Sequence, residues 1–101
     1  MMEITLHEMQ ERLNGRCVTV SFKNANAFCP LTFNNIEMVV YKNGEIQFCE
    51  QDEEVHYSPI YQSASIEEIQ FLDFSSMPDQ TGGQFFVHFD NGDMLDITGD
   101  F

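Results

Sequence analysis

Positive charge is what this chain has least of. Arg12, Arg16, Lys23 and Lys42 are its only arginines and lysines, set against 17 aspartates and glutamates. Four isolated cations cannot neutralise a run of phosphates. Direct binding of nucleic acid, of an anionic membrane or of an anionic cofactor is therefore disfavoured. Long apolar runs are missing too, so no segment is expected to span a membrane. The first residues, Met1-Met2-Glu3-Ile4-Thr5, have neither the basic region nor the apolar stretch of a secretory signal, and the expected location is the cytoplasm. Cysteine is sparse and scattered. Cys17, Cys29 and Cys49 show no CxxC spacing, and an odd number without a framework pattern implies reduced thiols. A zinc site would need closely spaced ligands, whereas His7, His56 and His88 stand apart.

Signatures of catalysis are also lacking. No serine, cysteine or histidine sits in a nucleophile elbow or a glycine-flanked context. Cys49 lies beside Glu50, and a negative neighbour opposes thiolate formation. Gly82-Gly83 is an isolated pair, without a GxGxxG pattern or a Walker lysine to cradle phosphate. His88, inside an aromatic run, could be a general base or a pH switch, or a half-buried histidine bonded across a sheet. The chain is expected not to be an enzyme and to need no cofactor or metal.

What is present is apolar content and negative charge. Hydrophobic residues make up 43% of the 101 positions, and ten phenylalanines can build a real core. Length and composition suit one domain over residues 1–101. The formal net charge of −13 attracts basic surfaces with a salt-dependent on-rate, and equally keeps a phenylalanine-rich protein in solution.

The pattern along the chain predicts an α+β fold, a short N-terminal helix followed by an antiparallel sheet of about six strands, either strongly curved or a partly open barrel. Thr5 and Glu8 form a capping box, Ile4 and Met9 a hydrophobic staple, and Leu6, Met9 and Leu13 an apolar stripe. Asn14-Gly15 stops that helix, giving a span of about residues 6 to 14. Arg16 to Phe22 alternates as a strand, with Val18, Val20 and Phe22 on the buried face. Residues 24 to 35 read as irregular, pinned by Phe28, Leu31 and Phe33. Ile36–Lys42 and Glu45–Glu50 flank Asn43-Gly44, and a two-residue turn would pair Tyr41 with Ile46 and Val39 with Phe48. The first of these strands is apolar on both faces, which places it in a sheet interior. Gln51 to Glu54 is an acidic turn and Val55 to Tyr61 a weak strand broken by Pro59. Ser65-Ile66-Glu67-Glu68 is a second capping-box pattern, Ile69–Phe74 a strand and Ser75–Gly83 a loop. The last unit, Gln84–Thr98, is a hairpin turned at Asn91-Gly92. A two-residue turn would set Phe89 against Met94 and Phe85 against Thr98, with Phe86 and His88 facing Ile97 and Leu95.

Two acidic groups are the candidate binding residues. The first is Glu50, Asp52, Glu53 and Glu54, with Glu67 and Glu68 further on; the second is Asp90, Asp93 and Asp96, with Asp100 beyond. In the two-residue register Asp90 and Asp93 oppose each other, a repulsion that calcium could relieve. The spacing departs from an EF-hand loop, and turn-forming aspartates in solvent account for it as well. Carboxylates displayed from a rigid sheet can imitate the phosphates of a nucleic acid and fill a partner's basic groove. By size and charge, though by no motif, the chain is similar to small phage-encoded inhibitors, some anti-CRISPR proteins among them. The expected function is a non-catalytic module binding a protein with a basic surface, in its sharpest form an inhibitor of a nucleic-acid-binding enzyme. The alternative is a small structural or assembly module with an aromatic contact surface of Phe28, Phe33, Tyr57 and Tyr61, its charge serving solubility. A monomer or weak homodimer is expected.

Overall fold

The computed structural model describes residues 2–24, 28–51, 59–74 and 82–100. Among the described residues, nine strands and one α-helix follow in the order β1 (Met2–Glu3), α1 (Leu6–Leu13), β2 (Val18–Lys23), β3 (Phe28–Phe33), β4 (Ile36–Val40), β5 (Glu45–Glu50), β6 (Tyr61–Gln62), β7 (Ile66–Asp73), β8 (Gly83–Phe89) and β9 (Met94–Gly99), with a 3₁₀ turn at Ser63–Ser65. The fold is α+β, mostly strand. Six strands form an open antiparallel sheet in the order β1-β7-β8-β9-β2-β3, and three form a second sheet, β4-β5-β6. The sheet does not close into a barrel. No helix among the described residues is long and apolar enough to cross a membrane.

The helix is built as its end signals dictate. Thr5 Oγ1 accepts from the Glu8 amide at 3.1 Å, which satisfies one of the first-turn donors, and Met9 and Leu13 are its buried stripe. Gly15, at φ +85°, takes the left-handed conformation that ends it. Arg12 lies 4.7 Å from the centre of the Phe71 ring, a cation–π contact that seats the helix over β7.

One face of the large sheet is apolar throughout. Val18, Val20 and Phe22 of β2, Leu95 and Ile97 of β9, Phe85, Val87 and Phe89 of β8, and Ile69 and Phe71 of β7 all lie on it. α1 and the small sheet cover this face together, contributing Met9, Leu13, Ile36, Met38, Ile46 and Phe48 to one continuous core. Full burial of a side chain such as Phe48 or Phe85 is worth roughly 1.5–3 kcal/mol, so this shared core is the main stabilising feature. At one end an aromatic chain joins the sheets: Tyr61 stacks on Phe89 at 4.7 Å and on Phe22 at 6.0 Å, and Phe22 meets Phe48 edge-on at 6.2 Å.

Several expectations are corrected. Residues 28–33, expected to be irregular, are a strand; Pro30 is tolerated because β3 is a sheet edge, bonded to β2 alone in the sheet order. Phe33 does pack into the core, Leu31 does so partly, but Phe28 is 61% exposed. β4 lies at the edge of the small sheet instead of its interior. Its outer edge is covered by the end of α1 and the residues after it. Asn14 Oδ1 accepts from the Met38 amide and Gln10 Nε2 donates to the Met38 carbonyl, while the Ile36 amide and carbonyl bond Arg16 and Gly15. Ser65 closes the 3₁₀ turn, and Ile66–Glu68 belong to β7 in place of a capped helix. Val55–Ser58, most of the expected weak strand, and 75–81 of the expected loop lie outside the described residues.

Both Asn-Gly hairpins close one residue differently from the two-residue expectation. Val40 pairs with Ile46 and Met38 with Phe48; His88 pairs with Met94 and Phe85 with Ile97. In the first loop the Gly44 amide bonds the Tyr41 carbonyl and the Tyr41 amide bonds the Glu45 carbonyl; in the second the Gly92 and Phe89 amides bond Phe89 and Asp93 in the same way. Gly44 and Gly92 sit at φ +87° and +90°, so each connection is a three-residue loop ending in a glycine bulge. Shifting a register by one residue exchanges the faces. Ile36 and Met38 thus join Ile46 and Phe48 in the core, and Phe86 and His88 lie half-buried on the opposite face from Leu95 and Ile97.

Candidate functional site

The strand registers sort the molecule into two ends. Val18, Phe33, Gly99, Gly83 and Asp73 lie at one end of the large sheet, and Lys23, Phe28, Met94, Phe89 and Ile66 at the other. Glu50 belongs to the first end, where β5 finishes opposite the start of β4. Both hairpin loops belong to the second. They are brought side by side by the 3₁₀ turn, because the Ser63 amide bonds the Gly44 carbonyl and the Asp90 amide bonds the Ser65 carbonyl, each at 2.8 Å.

This division splits the candidate carboxylates. Glu50 is engaged in holding the chain: its Oε1 accepts from the Asn34 amide at 2.7 Å and its Oε2 from the Asn35 amide at 3.0 Å. A carboxylate bound to two main-chain amides defines the β3–β4 turn, so Glu50 has a structural task within the fold. Asp52, Glu53 and Glu54, like Tyr57, lie outside the described residues. Asp96 stands mid-strand on the outer face of the large sheet, 17% exposed, paired with Lys23 Nζ at 3.3 Å and accepting from Gln84 Nε2. Its charge is largely answered within the fold.

Glu67, Glu68, Asp90 and Asp93 gather at the loop end. A bulge in β7 between Ile66 and Glu68 makes Glu67 the extra residue, and it is exposed. Glu68 lies opposite His88 on the outer face and accepts from Gln70 Nε2 at 3.3 Å. Asp90 is exposed in the second loop, tied through its amide to Ser65. Asp90 and Asp93 do not face each other, since the three-residue loop sets Asp93 opposite Phe89. The Asp93 amide donates to Asn91 Oδ1 at 2.9 Å, and Asn91 Nδ2 donates to Asp93 Oδ2 at 3.1 Å, a closed pair that fixes the carboxylate. Glu45 holds the same position after Asn43 in the first loop, its amide donating to Asn43 Oδ1 at 3.0 Å. Lys42 shares that loop. Among the described residues no group of three or more histidines, cysteines or carboxylates is placed to hold a metal ion.

Beside these carboxylates the surface opens into a cleft of about 470 Å³, lined by Phe22, Asn24, Cys29, Pro59, Ile60, Tyr61, Gln62, Ser65, Phe89, Asn91 and Asp93. Its floor is the Phe22–Tyr61–Phe89 stack. Ile60 is 57% exposed at its wall. The Tyr61 hydroxyl is pushed up to about 12, first by burial and then by the negative charge of Asp93, so the ring stays neutral through the physiological range. The sequence pointed to Tyr61 and Asp93 separately; Ile60, Ser65 and Asn91 were missed, their only signals being the turn residues around Pro59 and Asn91-Gly92.

Cys49 is buried, its thiol raised by burial and then by Glu37 and Glu50, which agrees with an unactivated sulfur. No family model, curated protein or solved structure matches the chain.

Proposed function

We propose that the protein is a cytoplasmic, non-catalytic binding module that docks on a basic protein surface through its loop end, with Glu67, Glu68, Asp90 and Asp93 as the contacting carboxylates. The single observation that supports this is their arrangement: a strand bulge, a three-residue loop and the Ser63–Ser65 turn bring four carboxylates, two from the start of β7 and two from the β8–β9 loop, to one end of the large sheet. Rigid display matters because the partner's lysines and arginines then meet pre-placed acceptors, and little ordering entropy is lost on contact. In its sharper form the module is an inhibitor, of the kind phages and mobile elements encode, that occupies the groove of a nucleic-acid-binding enzyme in place of phosphates.

Affinity capture from lysate with elution by a salt gradient, followed by titration of the captured protein with duplex DNA as competitor, tests this. The expected result is release at moderate salt and displacement by duplex DNA, with binding abolished by combined Glu67→Lys and Asp90→Lys. Binding that survives high salt and both reversals would instead favour the aromatic assembly module. Of that module's four residues, Phe33 is buried, Tyr61 is half-buried in the stack and Tyr57 lies outside the described residues, which leaves Phe28 exposed.

A further inference from the structure

The cleft beside the acidic loops has the composition of a receptor for one kind of side chain. Its floor is apolar, formed by the edge of the aromatic stack, and its wall carries the exposed Ile60. Ser65, Gln62 and Asp93 add polar side chains to its lining. Among the described lining residues there is no lysine, arginine or histidine, and Asp93 is the one carboxylate. Asn91 holds Asp93 Oδ2, and Oδ1 takes no hydrogen bond among the described residues. The volume lies within the range of pockets that enclose ligands.

We infer that this cleft receives an arginine side chain of the basic partner, its methylene stem on Ile60 and the aromatic floor and its guanidinium on Asp93 and the neighbouring acceptors. This rests on the acidic-docking function proposed above and gives it a specific anchor. Long basic side chains lie along apolar surface while their heads reach polar groups, which suits a cleft apolar below and carboxylate-bearing at the rim. A guanidinium has five donors in a planar fork, and a carboxylate flanked by several amide and hydroxyl oxygens matches it better than it matches the point charge of lysine. The field of Asp93 already acts inside the cleft, where it adds to burial in holding the Tyr61 proton. A buried arginine at the centre of an otherwise salt-sensitive contact is the usual form of an interface hot spot.

The test is an amide and methyl NMR titration of the full chain with three blocked peptides, Gly-Arg-Gly, Gly-Lys-Gly and the citrulline analogue of the first, which keeps the shape of arginine without its charge. The expected result is that the arginine peptide shifts the signals of Ile60, Tyr61, Asn91 and Asp93, that lysine binds more weakly and that citrulline leaves the cleft unshifted. Asp93→Asn should weaken the arginine peptide by about tenfold or more, the loss expected for a hydrogen bond to a charged group. Ile60→Ser, at an exposed position outside the loop, should weaken it as well without touching the Asn91–Asp93 pair. Glu67→Gln and Asp90→Asn should each change it by less than about threefold, as distant surface charges do. Shifts confined to Glu67, Glu68 and Asp90 would overturn the cleft while leaving the acidic surface standing. Equal binding of citrulline would overturn the charge recognition. No binding of either cationic peptide would overturn the cleft, while the acidic docking stands or falls on the salt-gradient capture.

Discussion

The two ends of this molecule use the same residue types to opposite effect. At one end Glu50 holds the Asn34 and Asn35 amides, Gly15 closes the helix against Ile36, and Gly82 bonds Phe74 across the sheet, so carboxylate and glycine alike are committed to the backbone. At the other, Asp90 and Glu67 are exposed and Gly92 has open space around its α-carbon. Composition does not distinguish structural from displayed acid. What distinguishes them is whether a main-chain donor lies within reach, and that depends on the register.

Glycine offers the sharpest way to break the comparison. Gly82 and Gly92 both have positive φ, near +92° and +90°, so alanine strains either one. At Gly82 the added methyl would also run into the Gly99 carbonyl oxygen, whereas at Gly92 it meets nothing. Gly82→Ala should lose about 3 kcal/mol or more in chemical denaturation, the strain and the overlap adding together. Gly92→Ala should lose only about 1–2 kcal/mol, the strain alone. Equal losses would mean that the two ends are equally tolerant.

The next effect concerns the carboxylates. Glu50→Ala should cost about 1–3 kcal/mol because two amides at the β3–β4 turn lose their acceptor, and it should leave partner affinity unchanged. A smaller effect separates the two ends by pH. Tyr61, raised from its ordinary value of 10.0 to about 12, keeps its proton in the fold after the unfolded chain has released it. Stability from this group is fully present below pH 10 and falls as pH rises from about 10 to 12, by on the order of 1 kcal/mol for a half-exposed ring. Tyr61→Phe should remove that component of the alkaline unfolding curve. Smallest of all, Glu67→Gln with Asp90→Asn should move stability by less than about 0.5 kcal/mol, since neither acid supports the fold.

Much of the architecture was legible: the capped helix, the buried alternation of Val18, Val20 and Phe22, and both Asn-Gly turns. The length of those turns was not, because Asn-Gly serves a two-residue turn and a glycine-bulge loop equally well. The answer lay in the strands. Phe85, Val87 and Phe89 can share a face with Leu95 and Ile97 only if the loop holds three residues, and Ile36 and Met38 make the same demand of Ile46 and Phe48. Where turn chemistry and buried alternation disagree, burial wins, since one slipped residue would expose a whole face. The site was harder to foresee. Glu67 and Asp90 are far apart in sequence and come to the same end of the sheet through a bulge and a main-chain bond to Ser65 that leave no residue signature, and Tyr61 was visible only as one aromatic in a strand broken by proline.

The Ser63–Ser65 turn has a consequence for how the protein opens. Its first amide is bonded to one hairpin loop and its last carbonyl to the other, so neither loop can fray without loosening a bond held by the same three residues. The Ser63 and Asp90 amides should therefore exchange with deuterium at similar rates and slow down together when a ligand fills the cleft, reporting the two hairpin tips as one cooperative unit.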